Sequence, residues 1–244
     1  MTSEELASDD QRRKADSDVA DKARLEKEKS GKRFEKVRAS WYSAMVRIGK
    51  RYSEATLDNF VASDPRQQAV IKTLRSLSSR LLEHSDRGHG LVFLGPIGTG
   101  KDHLGVAMLL QAAKNHMMTV DWCDGQELFQ EFRDRISDHK REEEKIRELT
   151  EPDILLMSDP VPASGAITDF QSSILYRVID RRYRNLKPTW VTLNVANRED
   201  AEKRLGAQVV DRLSHGAVNI VCNWQSYRKS AATPASNAMG NKTF

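Results

Sequence analysis

The residues best suited to chemistry form one glycine-rich run. It reads Gly-Pro-Ile-Gly-Thr-Gly-Lys-Asp and lies between the apolar run Leu91–Leu94 and a helical pattern. This is the spacing of a phosphate-binding loop, in which backbone N–H groups converge on phosphate oxygens and the helix N-terminus adds a favourable dipole. The lysine is in register to reach the β- and γ-phosphates. The run, named the phosphate loop below, predicts a nucleoside triphosphate site at Gly95, Pro96, Ile97, Gly98, Thr99, Gly100, Lys101 and Asp102.

One position of the phosphate loop departs from the usual pattern. The residue after the lysine is normally Ser or Thr, whose hydroxyl holds Mg²⁺, but here it is Asp102. The apolar run Ile154–Met157 is followed by Ser158 and Asp159, although the first of these positions is usually the acid on the metal side. The two changes look compensatory, so Asp102, Ser158 and Asp159 are the predicted Mg²⁺ site. In the alternative, Asp102 only caps its helix, where a carboxylate is favourable.

Short apolar runs alternating with helical patterns predict the scaffold of this site. Such alternation is typical of an α/β fold with a parallel five-stranded sheet and helices on both faces. The predicted strands are Leu91–Leu94, Thr119–Cys123, Ile154–Met157, Thr189–Leu193 and Val218–Cys222. The predicted helices cover residues 66–83, 102–116, 125–137, 168–185 and 199–213.

The distribution of charged and apolar residues along the chain predicts three regions. The first forty residues are almost all charged or small, which favours a disordered or solvated helical arm. An apolar stripe at helical spacing follows, and it serves either as core or as a contact face for a partner; it comprises Trp41, Met45, Ile48 and Tyr52. We therefore predict a partner-binding arm at 1–53, an ATP-binding domain at 54–228 and a disordered tail at 229–244.

Composition excludes several classes of protein. Lys and Arg number 39 against 35 Asp and Glu, and the net charge of +4 is compatible with nucleic acid binding without demonstrating it. Two cysteines, Cys123 and Cys222, are too few for a disulfide scaffold and are expected as free thiols. No apolar run approaches the roughly 20 residues that span a bilayer, and the N-terminus lacks a signal-peptide pattern. These features predict a cytoplasmic protein with no membrane partner.

Several motifs, taken in order, resemble the AAA+ ATPases that comprise DnaC-type helicase loaders and IstB-type transposition helpers. In that family Asp or Asn often replaces the last Thr of the loop, and the resemblance covers about residues 55–228. It implies an AAA+ P-loop fold. Because the ordered pattern ends soon after the fifth predicted strand, we expect no C-terminal lid. The matching stretches are Ala55–Phe60, Gly95–Leu104, Asp153–Gly165, Thr168–Gln171, Leu175–Tyr183, Thr192–Asn194, Arg204–Gly206, Val210–Leu213 and Asn223–Arg228.

The resemblance implies roles for individual residues. Phe60 belongs to the segment that packs near the base, and His103 lies two positions after Lys101; both are expected to bind the nucleotide. Asn194, at a strand end, is expected to hold the attacking water or the γ-phosphate, and Asp159 to polarise that water. Arg212 is expected to act as an arginine finger toward a neighbouring subunit, which implies self-association. The altered acid at the metal side predicts slow, switch-like hydrolysis.

The resemblance also implies partners. The leading expectation is a loader that grips a hexameric replicative helicase through the arm and places it on single-stranded DNA. The alternative is a helper that assembles on duplex DNA and directs a transposase, and a metabolic P-loop kinase is a third class without an evident acceptor pocket.

Phe129 and Phe132 are expected in the core. The expected DNA-contacting cations are Arg133, Arg135, Lys140 and Arg141.

Overall fold

The sheet of the computed structural model has five strands that are all parallel, as predicted. The model describes residues 3–135, 138–162 and 164–230, with side chains from residue 21 to residue 228 within these ranges. The strand order β2-β3-β4-β1-β5 places the first strand between the fourth and the fifth. The strands are β1 Leu91–Leu94, β2 Val120–Asp124, β3 Ile154–Ser158, β4 Thr189–Leu193 and β5 Val218–Val221.

Ten helices accompany the sheet in the described ranges. They are α1 Ser3–Ile48, α2 Pro65–Ser79, α3 Leu81–Asp86, α4 Lys101–His116, α5 Gly125–Arg135, α6 His139–Thr150, α7 Asp169–Arg184, α8 Arg198–Leu205, α9 Ala207–Ser214 and α10 Tyr227–Ser230. Two predicted helices are each divided in two. The first is interrupted at Arg80, and the second at Gly206, whose φ of 90° does not suit a continuous helix.

The helices cover both faces of the sheet because successive strand residues point to opposite sides. In β1, Phe93 belongs to a core shared with α1, α2 and α4. Its neighbour Val92 belongs to a second core shared with α5 to α9. In β3, Leu156 belongs to the first core and Leu155 belongs to the second. The sheet is therefore buried on both sides, which holds its strand ends rigidly.

Helix α6 is absent from the predicted helices, although it is a buried part of the second core. Its sequence is dominated by charges, and the apolar contacts come mainly from Ile146 and Leu149, which are almost completely buried. Two apolar residues three positions apart are too few to give a clear helical period. Phe129 and Phe132 of α5 are buried in the same core, as predicted.

The C-terminal third of α1 packs against the open edge of the sheet at β2. The stripe is core in the described structure, where Ile48 is joined by the buried Val37 and Ala44 and flanked by the partly buried Trp41, Met45 and Tyr52. The hydroxyl of Ser40 accepts a hydrogen bond from the Val120 N–H at 3.1 Å, and Arg47 pairs with Asp121. The helix thus covers an edge that would otherwise expose unpaired backbone groups. Residues 33–52 therefore contribute to the domain through these contacts.

Two compositional predictions can be compared with the structure. Cys123 and Cys222 are free and buried, as predicted, and burial raises the pKa of the Cys222 thiol to about 12. Within the described ranges, no helix combines the length and apolarity needed to cross a membrane. The predicted tail covers residues 229–244. Its first two positions end α10, and residues 231–244 lie outside the described part of the chain.

Candidate nucleotide site

The phosphate loop folds back on itself at positions where only glycine fits. Gly98 and Gly100 have φ values of 81° and 87°, in the left-handed region. A Cβ at Gly100 would lie 2.7 Å from the Phe60 ring, and one at Gly95 would lie 2.4 Å from the Cys222 carbonyl oxygen. The backbone of the loop is consequently wrapped tightly at the N-terminus of α4, where its N–H groups form an anion-binding concavity.

Lys101 is buried at the centre of the loop, with 5% of its surface exposed. Its Nζ donates to the carbonyl oxygens of Gly95 and Pro96, both at 2.8 Å, and to Asn194 Oδ1 at 2.7 Å. Burial lowers the pKa of Lys101 from its ordinary value, and the carboxylates of Asp102 and Asp159 oppose this effect. The ammonium is thus held ready beside the concavity, on the side of the sheet where ligands of open α/β folds bind.

Asn194 connects the lysine to the candidate catalytic acid. Its Nδ2 donates to Asp159 Oδ2, while its Oδ1 accepts from Lys101. Asp159 has a φ of 42°, uncommon for a non-glycine residue, and its N–H donates to the Thr192 carbonyl oxygen at 3.0 Å. Burial raises the pKa of Asp159, and the hydrogen bond from Asn194 opposes the rise. The structure thus brings together three predicted residues from the ends of three elements.

Asp102 meets Ser158, as the compensatory interpretation requires. Asp102 Oδ1 accepts hydrogen bonds from Ser158 Oγ and from Thr192 Oγ1, both at 2.7 Å. These hydroxyls belong to β3 and β4, so the carboxylate faces the ends of the strands. Asp102 also lies in the first turn of α4, as the helix-cap alternative requires, so that alternative stays a prediction beside the metal role.

The residues present suit Mg²⁺ and a triphosphate. Asp159 Oδ1 is buried and has no hydrogen-bond partner among the described residues, so an acceptor stands ready for a cation or a water molecule. No group of three or more His, Cys, Asp or Glu in the described part of the chain could hold a metal alone. A site with few carboxylates is typical of Mg²⁺, because this ion is commonly bound by one or two carboxylates together with substrate phosphates and water.

A cleft of about 650 Å³ joins these groups to an aromatic wall. Phe60 meets the His103 ring edge to face at 5.4 Å and the Tyr227 ring at 5.6 Å. The wall is fastened because Tyr227 Oη donates to the Val61 carbonyl oxygen and the Trp224 indole N–H to that of Thr99. This wall gives an apolar surface for a nucleobase next to the phosphate loop.

Several lining residues were not predicted from the sequence. They are Arg51, Tyr52, Asn59, Val61, Asp124, Tyr227 and Arg228. Thr192, which the sequence marks only as part of a strand end, bonds to both Asp102 and Asp159. Its partners lie far away in the sequence, so the family-like stretch Thr192–Asn194 indicates its place and not its contacts. Asn59, Tyr227 and Arg228 likewise fall within family-like stretches without an assigned role.

Arg212 does not reach the cleft of its own chain. Its Nε donates to Asp180 Oδ1 at 3.0 Å, its Nη2 donates to Tyr176 Oη at 3.0 Å, and the guanidinium lies over the Tyr176 ring at 4.7 Å. A residue that acts on a neighbouring subunit need not line its own cleft. The finger role therefore stays a prediction.

Two of the four cations predicted to contact DNA pair with nearby acids, and a third donates to a glutamine. Arg135 pairs with Glu131 at 3.1 Å, and Arg141 pairs with Asp138 at 3.2 Å. Arg133 donates to Gln130 at 3.1 Å. The local charge is therefore balanced rather than strongly positive, which weakens the attraction for a phosphate backbone.

The fold and site together define a P-loop nucleotide-binding protein of the AAA+ type. A family model described as IstB-like ATP binding protein matches residues 4–235, and the chain belongs to this family. This membership confirms the predicted resemblance and the predicted class, that of AAA+ ATPases.

Individual relatives point in two directions. The replicative helicase loader DnaC of Escherichia coli (strain K12) is 29% identical over 145 residues, which are 56% of this chain and 55% of that protein. The chain thus spans about half the length of this curated relative. An insertion sequence IS5376 putative ATP-binding protein of Geobacillus stearothermophilus is 26% identical over 188 residues, 75% of this chain and 72% of that protein.

Solved structures agree with the fold. The crystal structure of the DnaC helicase loader superposes with a TM-score of 0.64 at 26% identity, covering 71% of this chain and 99% of that chain. The crystal structure of DnaI gives a TM-score of 0.60 at 19% identity over 72% of this chain and 95% of that chain, which shows the fold alone.

Proposed function

We propose that this protein binds ATP with Mg²⁺, hydrolyses it slowly and uses the cycle to load a hexameric replicative helicase onto single-stranded DNA. The observation that carries the ATP site is the connected arrangement at the strand ends. There Lys101, Asn194 and Asp159 form one hydrogen-bonded chain, and Asp102 bonds to Ser158 beside it. A buried cation, a polarising amide and two carboxylates are the groups that phosphoryl transfer requires.

Each group has a defined task in this proposal. The backbone of the phosphate loop and Lys101 would bind the β- and γ-phosphates, while Asp102 and Ser158 would hold Mg²⁺, which neutralises charge on the phosphate oxygens. Asp159 would polarise the attacking water, and Asn194 would orient that water or the γ-phosphate. Phe60 and His103 would pack beside the base.

Slow hydrolysis follows from the way the acids are held. Asp159 Oδ2 is already engaged by Asn194, and Ser158 stands where an acid is usual on the metal side. Asp102 stands where a neutral hydroxyl is usual, so a carboxylate lies close to the triphosphate and repels it unless Mg²⁺ intervenes. These features favour a switch that holds ATP over an enzyme of rapid turnover.

The proposed partner rests on the relatives. The DnaC structure is matched over nearly its whole length, which supports a helicase as partner. A second candidate, a helper that assembles on DNA and directs a transposase, is favoured by the insertion-sequence relative, whose alignment covers more of this chain. For the loader, we further propose contact with single-stranded DNA and a cytoplasmic location.

Removing residues 1–30 should separate the two candidates. The described side chains from residue 21 to residue 32 are exposed, whereas Arg33 pairs with Asp153 at 2.5 Å and Val37 is buried. This truncation should therefore leave ATP binding and thermal unfolding unchanged while abolishing co-purification with the replicative helicase. A transposition helper should instead lose assembly on duplex DNA, measured by sedimentation.

Truncation at residue 53 is a poor substitute for this test. It would remove the buried Val37, Ala44 and Ile48 from the first core. Burial of one large apolar side chain contributes roughly 1.5–3 kcal/mol, so the longer truncation should unfold at a clearly lower temperature.

Retained helicase binding by the protein that lacks residues 1–30 would contradict the role proposed for the arm.

Replacing Arg212 with alanine should leave the ATP dissociation constant unchanged and lower hydrolysis by on the order of 1,000-fold, the effect of a lost arginine finger. Arg184→Ala is the matched control, because Arg184 pairs with the same carboxylate, that of Asp180, at 2.9 Å. Turnover is measured against protein concentration, since a finger in trans acts only in assemblies. Equal losses in both variants would assign the effect to Asp180, and unchanged hydrolysis would remove Arg212 from the site.

A further inference from the structure

Arg204, near the end of α8, ties two separate backbone segments together through three carbonyl oxygens. Its Nε donates to the Gly165 carbonyl oxygen at 3.1 Å, its Nη1 to the Asn194 carbonyl oxygen at 3.2 Å, and its Nη2 to that of Pro162. Its own carbonyl oxygen accepts from the Ile167 N–H at 2.9 Å. The side chain is partly buried and records no ion pair among the described residues.

The segments that Arg204 holds are the two that carry the proposed catalytic groups. Pro162 and Gly165 belong to the loop that begins at Asp159, and Asn194 is the residue that bridges Lys101 to Asp159. The guanidinium therefore fixes the main chain of Asn194 from one side while the amide side chain of Asn194 makes its contacts on the other. A displacement of about 1 Å at such a group can lower turnover by about 100-fold.

The contacts suit arginine and distinguish Arg204 from its neighbours on α8. Three donors from one planar guanidinium reach three carbonyl oxygens, which a lysine ammonium on a flexible stem does not reproduce. The neighbouring cations instead make exposed ion pairs along the helix, Lys203 with Glu199 at 2.8 Å and Arg198 with Glu202 at 2.6 Å. Such surface pairs contribute little to stability.

We propose that Arg204 is a positioning residue for ATP hydrolysis, which acts by holding the main chain of Asn194 against the loop after β3. The inference rests on the proposed ATPase function and adds a residue that does not line the nucleotide cleft. Arg204 touches neither the phosphate loop nor the aromatic wall among the described contacts. Its loss should therefore lower kcat with little change in KM or in ATP affinity.

The experiment is a double-mutant cycle on the full-length protein. Arg204→Met should lower kcat by on the order of 10- to 100-fold, with the ATP dissociation constant within a factor of about three of the parent value. In the Asn194→Ala background the same substitution should have little further effect, because the group it positions is gone. Lys203→Met on the same helix is the control and should match the parent, and Arg204→Lys should not restore kcat.

The outcomes separate this inference from the function on which it rests. A parent protein that binds ATP without hydrolysing it would overturn the proposed ATPase function and this inference with it. A parent that hydrolyses ATP while the effects of Arg204→Met and Asn194→Ala multiply independently would overturn only the positioning role. A loss of ATP affinity in Arg204→Met as large as its loss of kcat would also overturn it, since that pattern indicates general disruption of the fold.

Discussion

Replacing Lys101 with alanine should abolish ATP binding. The ammonium is buried, and its three acceptors, the carbonyl oxygens of Gly95 and Pro96 and the amide oxygen of Asn194, already hold it in place. A fixed cation next to a triphosphate in a partly water-excluded cleft is a strong interaction, because the effective dielectric constant is low. We expect the affinity to fall by at least about 100-fold, the equivalent of two steps of 1.4 kcal/mol. Equilibrium binding of a labelled ATP analogue measures the change.

Two further variants keep this result interpretable. Lys101→Met retains most of the apolar stem, so it preserves packing while it removes the charge. Lys114→Ala removes an exposed lysine from the last turn of the same helix α4 and should bind ATP as the parent does. Thermal unfolding of each protein shows whether the domain is intact. Parental ATP affinity in folded Lys101→Ala would refute the nucleotide site and every proposal built on it.

Exchanging the carboxylate and the hydroxyl between positions 102 and 158 should restore the ATP hydrolysis that either single substitution lowers. Asp102→Thr removes the carboxylate that accepts the Ser158 hydroxyl, and hydrolysis should fall by on the order of 100-fold. Ser158→Asp places a second carboxylate where the hydroxyl lies 2.7 Å from Asp102, so mutual repulsion should be comparably damaging. The double variant returns one carboxylate and one hydroxyl in the usual arrangement. Its Mg²⁺-dependent turnover should recover strongly, which shows as a large coupling energy in the cycle.

The charge at position 102 can be tested separately from its shape. Asp102→Asn keeps an acceptor for Ser158 and Thr192 but is neutral, so it should lose hydrolysis as Asp102→Thr does. In the parent, replacing Mg²⁺ with EDTA should weaken ATP binding by about tenfold or more, because the carboxylate then repels the phosphates directly. Additive losses in the double variant, or equal ATP affinity with and without Mg²⁺, would contradict the exchanged metal site.

Local patterns in the sequence were sufficient to predict the centre of the site and the frame around it. Glycines at fixed spacing before Lys101 form a motif whose members lie within eight residues, so no knowledge of distant contacts is needed. Both ends of every strand were predicted to within one residue, because strands buried in a parallel sheet are continuous apolar runs. The charged helix α6 was missed, since Ile146 and Leu149 become recognisable as core only after the neighbouring helices have packed on them.

The sequence by itself determined the phosphate loop, the five strands and the pair of unusual residues at positions 102 and 158. Only the tertiary structure decided that Asp102 meets both Ser158 and Thr192, which lie 56 and 90 positions away, and that Arg204 holds the main chain of Asn194. It also decided that the last third of α1 is part of the domain. The physical reason is the strand order, which brings the ends of β1, β3 and β4 side by side although they are far apart along the chain.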